Sequence, residues 1–127
     1  EVNEYTYKVL SESDPVDGHD CWKIEAVPKS KDIVKKTGYL KTINWVRKDA
    51  FLVVRGINYV KKGKKVKYYS TKDIKKIDGI WTIGTIQMVT TKNKKVQHSS
   101  IFSLENVSYN NEVADSMFEV ETMQRGL

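Results

Sequence analysis

The side chains in this chain that could do chemistry are few. There is one thiol, Cys21, there are two imidazoles, His19 and His98, and the carboxylates are scattered singly along 127 residues. A nucleophilic cysteine needs a neighbour that holds it as thiolate. No obvious local base does so here, and Cys21 beside Trp22 reads as a small apolar residue opening a strand. His19 belongs to an Asp-Gly turn, and His98 stands among Gln97, Ser99 and Ser100 as on an exposed strand face. Neither imidazole has metal-ligand spacing to Cys21 or to a carboxylate. Gly-rich phosphate loops, nucleophile elbows and paired carboxylates are all missing. The sequence therefore offers no catalytic residue, no metal set and no cofactor, and it reads as a binding protein rather than an enzyme.

Aromatic residues interleaved with lysines are the next candidate chemistry: Trp22, Trp45, Trp81, Tyr68, Tyr69 and Phe102. Such a pattern can stack the bases of single-stranded nucleic acid on an open sheet. Here the aromatics alternate with aliphatics, as in a packed or lipid-accepting face. Lysine and arginine total 22 against 16 acidic residues, a net charge of +6, yet only Arg47, Arg55 and Arg125 are arginines. Readers of bases and phosphates favour the arginine fork. Lysines on turns and strand edges discourage edge-to-edge pairing instead. No nucleic-acid partner is expected.

The elements that must position these residues are strands. Asp17-Gly18 and Asp78-Gly79 each precede a tryptophan that opens an extended run, Trp22 and Trp81. Asp-Gly readily supplies the positive φ of a tight hairpin turn. Alternation predicts strands over residues 5–9, 22–27, 39–47, 51–60, 65–70 with an irregular continuation to 77, 80–91, 96–107 and 118–123. Ser30 as N-cap and Gly38 beyond the end frame a short helix over residues 29–36, and residues 112–117 suggest a helical turn. The fold class is mainly β: a curved antiparallel meander with one or two short helical segments, all in one domain, 1–127.

Alternation also assigns faces. Trp22, Ile24 and Ala26 share one, opposite Lys23 and Glu25; Ile43 and Trp45 share a face with Tyr39; Phe51, Val53, Ile57 and Tyr59 share another. Several strands are apolar on both faces, where a sheet with one wet face should alternate more cleanly. A cover is expected from a preceding segment, a partner or a ligand. The chain opens at Glu1-Val2-Asn3-Glu4-Tyr5, without methionine and already close to strand sequence, as a processed fragment would. No run has membrane-spanning length and no signal-peptide pattern occurs.

The stretch Val16-Asp17-Gly18-His19-Asp20-Cys21-Trp22-Lys23-Ile24-Glu25-Ala26-Val27-Pro28-Lys29 resembles the outer-membrane lipoprotein-sorting (LolA-like) proteins of Gram-negative bacteria. So do Asn44-Trp45-Val46-Arg47-Lys48-Asp49, Asp73-Ile74-Lys75-Lys76-Ile77-Asp78-Gly79-Ile80-Trp81 and Glu105-Asn106-Val107-Ser108-Tyr109-Asn110. The closing Asp115-Ser116-Met117-Phe118 and Gln124-Arg125-Gly126 complete a match that is collinear over nearly the whole chain. The resemblance implies an incomplete LolA-like barrel with helices at its mouth, in the periplasm, of which this chain would be the C-terminal portion. Carrier members of the family hold acyl chains of lipoproteins in the hollow between sheet and helices.

Together the residues and the resemblance predict a non-enzymatic module that takes lipid or lipoprotein acyl chains onto an apolar concave face. The residues expected to line it are Trp22, Ile24, Ile43, Trp45, Val53, Ile86, Met88 and Phe102. For each of them, plain core filling is the competing role. The rival reading is a structural module that docks a membrane-associated protein partner and carries no lipid.

Overall fold

The computed structural model describes residues 4–104. Seven strands follow one another in sequence order and pair in that order, each antiparallel to the last. They are β1 (Tyr5–Ser11), β2 (Cys21–Pro28), β3 (Tyr39–Arg47), β4 (Leu52–Val60), β5 (Lys65–Ile77), β6 (Ile80–Lys92) and β7 (Lys95–Ser103), with one helix, α1 (Lys31–Thr37), between β2 and β3. Among the described residues β1 and β7 are not paired to each other, so the sheet is open. The expected helical turn at 112–117 and eighth strand at 118–123 lie outside the described residues.

The turns take the form their residues dictate. Asp17 and Gly18 have φ of 51° and 80°, and Asp78 and Gly79 have 52° and 79°. Two consecutive left-handed residues match the right-handed twist of the flanking strands. Asn93 and Lys94 repeat this at φ 52° and 67°. In α1 the Ser30 hydroxyl accepts the Ile33 N–H at 3.3 Å, and Gly38, at φ 82°, donates its N–H to Val34 O at 2.7 Å. That pairing of caps fixes a helix too short to persist alone.

Strand β5 is longer than its sequence suggests. It pairs with β6 in one register from Lys65↔Lys92 to Ile77↔Ile80, with no irregular tail. Asp73 sits inside it at φ 57°, and the facing residue is Gly84. A Cβ on Gly84 would lie 2.9 Å from both the Cβ and the carbonyl oxygen of Asp73. Glycine is required there by close approach, which keeps the register intact around a left-handed residue.

Four residues stand outside the ladders as bulges: Leu10 in β1, Leu40 in β3, Val54 in β4 and Gln97 in β7. Each bulge bends its strand and shifts the alternation by one. Trp45 pairs with Arg55, but Val46 pairs with Val53. Directly opposed residues point to the same side of an antiparallel pair. Ile57, opposite Ile43, therefore shares the face of Trp45, whereas Val53 lies on the other face with Val46 and Trp22. This corrects two assignments made by alternation. Val53 does not share a face with Ile57 and Tyr59, and Tyr39, beyond the Leu40 bulge, does not share one with Ile43 and Trp45. Phe51 is no strand residue: it sits in the preceding turn at φ 52° and is exposed.

The core lies on the Trp45 side. Cys21, Ile43, Trp45 and Val54 are buried there with Val16, which arrives from the β1–β2 connection. Leu52, Ile57, Tyr59 and Ile74 pack against that cluster. Large apolar side chains remain exposed on both sides of the sheet, among them Tyr68 and Ile101 on one and Val53 and Met88 on the other. The double apolar patterning of the sequence is thus real. Within residues 4–104, helix α1 is the one helix, and it contacts only β2 and β3 among the elements it meets substantially.

Candidate functional site

A groove runs along the Trp45 face of the sheet. Its first part, about 350 Å³, lies against Trp45, Arg55, Ile57, Tyr68 and Ser70. Its second, about 640 Å³, continues past Tyr68 to Tyr59, Val66 and Leu40 and opens beside Lys64, Asn93 and Lys94. The ladder explains the alignment: Ile57 opposes Tyr68, Tyr59 opposes Val66, and Tyr68 opposes Val89, so one face of three strands carries apolar residues in register.

The other end of the groove is lidded. Residues 12–20 fold over Trp45 and Cys21, and the Trp45 indole N–H donates to Asp14 Oδ2 at 3.0 Å. Val16 and His19 exchange backbone hydrogen bonds of 2.9 and 3.0 Å, and Asp14 N–H donates to Cys21 O at 2.9 Å. Under this lid Cys21 is 0% exposed and its thiol donates to His19 O at 3.3 Å. Burial pushes its pKa up, which makes it inert, as its place beside Trp22 suggested.

Cations sit over the aromatic rings of this face. Lys23 Nζ and Arg55 Cζ lie 5.2 and 5.5 Å from the Trp45 ring centre, and Lys41 Nζ lies 4.9 Å from that of Tyr59. Trp81 is flanked by Arg47 at 4.9 Å and Lys76 at 5.2 Å. Arg47 is 6% exposed and is held by Asp49 through Nε at 2.6 Å and a second nitrogen at 3.1 Å. The guanidinium keeps the Asp49 carboxyl below the usual carboxylate range. Asp20 is lowered likewise, first by the Ser13 hydroxyl at 2.7 Å and then by Lys48 at 3.0 Å. Arg47 also lines a small polar hollow of about 240 Å³ with His19, Thr71 and Asp73. Among the described residues no three His, Cys, Asp or Glu side chains are grouped to hold a metal ion.

The eight residues expected to line one surface divide between two. Ile43 and Trp45 are on the groove face, both buried in the core. Trp22, Ile24, Val53, Ile86, Met88 and Phe102 are on the opposite face, as their partners Val46, Asn44, Val46, Thr71, Tyr69 and Ile86 show. The groove residues that sequence reasoning missed are Ile57, Tyr59, Val66 and Leu40, and Asp14 as the anchor of the lid. The alternation of Val66 and Tyr68 was a usable signal for β5. The Val54 bulge had none.

A family model described as "Uncharacterized protein" matches residues 1–125. Among solved structures, a DUF1329 family protein from Desulfovibrio piger is 33% identical, with a TM-score of 0.66 over 97% of this chain and 48% of that one. An outer membrane lipoprotein-sorting protein domain from Vibrio parahaemolyticus is 18% identical, with a TM-score of 0.57 over 92% of this chain and 49% of that one. A LolA superfamily protein from Nitrosomonas europaea is 18% identical, with a TM-score of 0.53 over 84% of this chain and 48% of that one. The chain spans about half the length of each of these three. No curated protein matches it. With an open antiparallel sheet that superposes on lipoprotein-sorting folds, and a family model covering almost all of its residues, the chain belongs to that uncharacterized-protein family and has a LolA-like fold.

Proposed function

We propose that the protein is a non-enzymatic periplasmic binding module that holds an apolar chain, of a lipid or of a lipoprotein, in the groove between Trp45 and Lys64. The observation that carries this reading is the groove itself. At about 640 Å³ its open part falls within the range of roughly 300–1,000 Å³ common for small-molecule sites, and its walls are Tyr59, Val66, Tyr68 and Leu40. Each methylene transferred from water contributes about 0.8 kcal/mol, so a partly enclosed chain binds without specific polar contacts. The cations over Trp45 and Tyr59 suit an anionic end group at the walls. The name of the Vibrio parahaemolyticus relative points the same way.

A second reading, docking of a membrane-associated protein with no lipid cargo, draws on the opposite face, where Phe51, Val53 and Met88 are exposed. A fluorescent fatty-acid analogue separates the two. Tyr68 and Met88 are about equally exposed, at 41% and 44%, on opposite faces. Tyr68→Asp should weaken binding at least about tenfold, given the roughly 1.5–3 kcal/mol of a large apolar side chain, while Met88→Asp leaves it unchanged. Equal weakening by both, or binding that ignores Tyr68→Asp and disappears in moderate salt, would sink the groove reading.

A further inference from the structure

An antiparallel meander places its connections alternately at the two ends of the sheet. The connections after β1, β3 and β5, residues 12–20, 48–51 and 78–79, hold six carboxylates and one lysine, Lys48. The opposite end inverts that balance. Four lysines lie in and beside α1, four in and beside the β4–β5 hairpin, and three in and beside the β6–β7 hairpin. Against these eleven stand Glu4 and Asp32 among the described residues. Ten of the eleven are exposed, and Lys65 is half-buried.

These lysines form one continuous rim. Lys61 N–H donates to Gly38 O at 2.9 Å, which ties the β4–β5 hairpin to the end of α1. Asn93 N–H donates to Lys64 O at 3.3 Å, which ties it to the β6–β7 hairpin. The groove opens through this rim, since Lys64, Lys65 and Lys94 line its mouth with Leu40 and Val60. The Lys41–Glu25, Arg47–Asp49 and Lys48–Asp20 ion pairs involve none of the eleven.

From this arrangement we infer that the lysine end is a membrane-docking surface, seating the protein on an anionic bilayer with the groove mouth against the lipid. Flexible, strongly hydrated ammonium groups attract a plane of phosphates without demanding a fixed geometry, whereas an acidic protein partner is better met by arginine forks. Helix α1 and two hairpin tips along one end of a sheet also present an edge suited to a surface rather than to a pocket. The inference goes beyond the cargo reading and stands without it, because the rim acts through charge and the groove through apolar contact.

Co-sedimentation of the full chain with vesicles tests it, using phosphatidylcholine with and without phosphatidylglycerol. The protein should pellet only with the anionic vesicles and be released by moderate salt. Lys35→Gln, Lys61→Gln and Lys62→Gln together should lower partitioning roughly a hundredfold, about fivefold for each lysine near the surface. Removing the same charge as Lys8→Gln, Lys72→Gln and Lys75→Gln, away from the rim, should change it no more than about twofold, and circular dichroism checks that both variants fold. A Tyr68→Asp protein should bind vesicles as the wild type does, so loss of cargo and loss of docking are read separately. Equal losses from the two triple variants would mean that net charge alone attracts the vesicles, and the inference fails. It fails as well if plain phosphatidylcholine binds equally, or if the protein ignores vesicles but is retained on polyglutamate, the outcome for an acidic protein partner.

Discussion

The indole of Trp45 and the carboxylate of Asp14, thirty-one positions apart, meet at 3.0 Å and hold the β1–β2 connection down on the sheet. One hydrogen bond thereby joins the lid to the floor of the groove, and Cys21 lies beneath it.

That geometry makes the thiol a reporter of the lid. In the native protein Cys21 should react slowly with a thiol reagent, and in denaturant quickly. Asp14→Ala removes a hydrogen bond to a charged acceptor, worth about 1.5 kcal/mol or more, so native labelling should accelerate roughly tenfold. An unchanged rate would show that the Trp45–Asp14 hydrogen bond is not what holds the lid, leaving Val16 and the backbone bond from Asp14 N–H to Cys21 O.

The Asp78-Gly79 turn isolates a pure backbone effect. A Cβ on Gly79 meets nothing within 4 Å, so only its φ of 79° opposes a side chain. Gly79→Val should cost about 1–2 kcal/mol in denaturant unfolding, and Gly79→Asn distinctly less, since asparagine tolerates this region. Gly18, at φ 80° with the same open space, should behave alike.

Gly84 tests close approach instead. Gly84→Ala drives a methyl group against Asp73 and should cost about 1–3 kcal/mol, the usual toll of overpacking. Asp73→Gly removes one contacting atom, its Cβ, along with the strain of φ 57°. The double variant should therefore be more stable than the sum of the two single changes implies, and additivity would refute the contact as the cause.

Acid should weaken the fold through Asp20 and Asp49. Both carboxyls are lowered in the folded state, by Ser13 with Lys48 and by Arg47 respectively. A lowered folded value means the stabilisation is complete above the unfolded carboxylate range, about pH 4, and is lost as pH falls through the folded values. Asp49→Asn should reproduce part of this at neutral pH, lowering the melting temperature by several degrees because Arg47 keeps its charge while buried. It should also flatten the acid limb of the stability profile. A variant with an unaltered profile would remove Arg47–Asp49 from the cause.

Much of the fold was legible in the residues because hairpin turns and alternation are local. Asp17-Gly18 and Asp78-Gly79 gave their turns, Ser30 and Gly38 framed α1, and β3 ends at Tyr39 and Arg47 as its pattern indicated. The faces were legible only up to the bulges. Val54 is an ordinary β-branched residue in an apolar run, and its place outside the ladder depends on β3, not on its neighbours in sequence. That is why Ile43 and Trp45 were found on the groove face, while Ile57 and Tyr59 were grouped with Val53. Asp14 was hidden for a different reason, since its partner is chosen by a long-range fold of the connection.

The bulge at Val54 also sets what kinds of sequence change the groove can absorb. A substitution at Val54, 3% exposed, perturbs packing at one point. Deleting that residue would leave β4 able to pair along its whole length, with Arg55 still opposite Trp45 and Val53 still opposite Val46, so Leu52 and Val53 would keep their sides relative to Ile57. The lid contact at one end and the groove wall at the other would stay in phase, at the cost of the buried Val54 side chain and of the bend that its bulge makes. Drift in this strand is therefore open to exchange of one apolar residue for another and, at the bulge, to a single-residue gap, whereas a gap within the regularly paired run 55–59 would put the residues on its two sides out of phase.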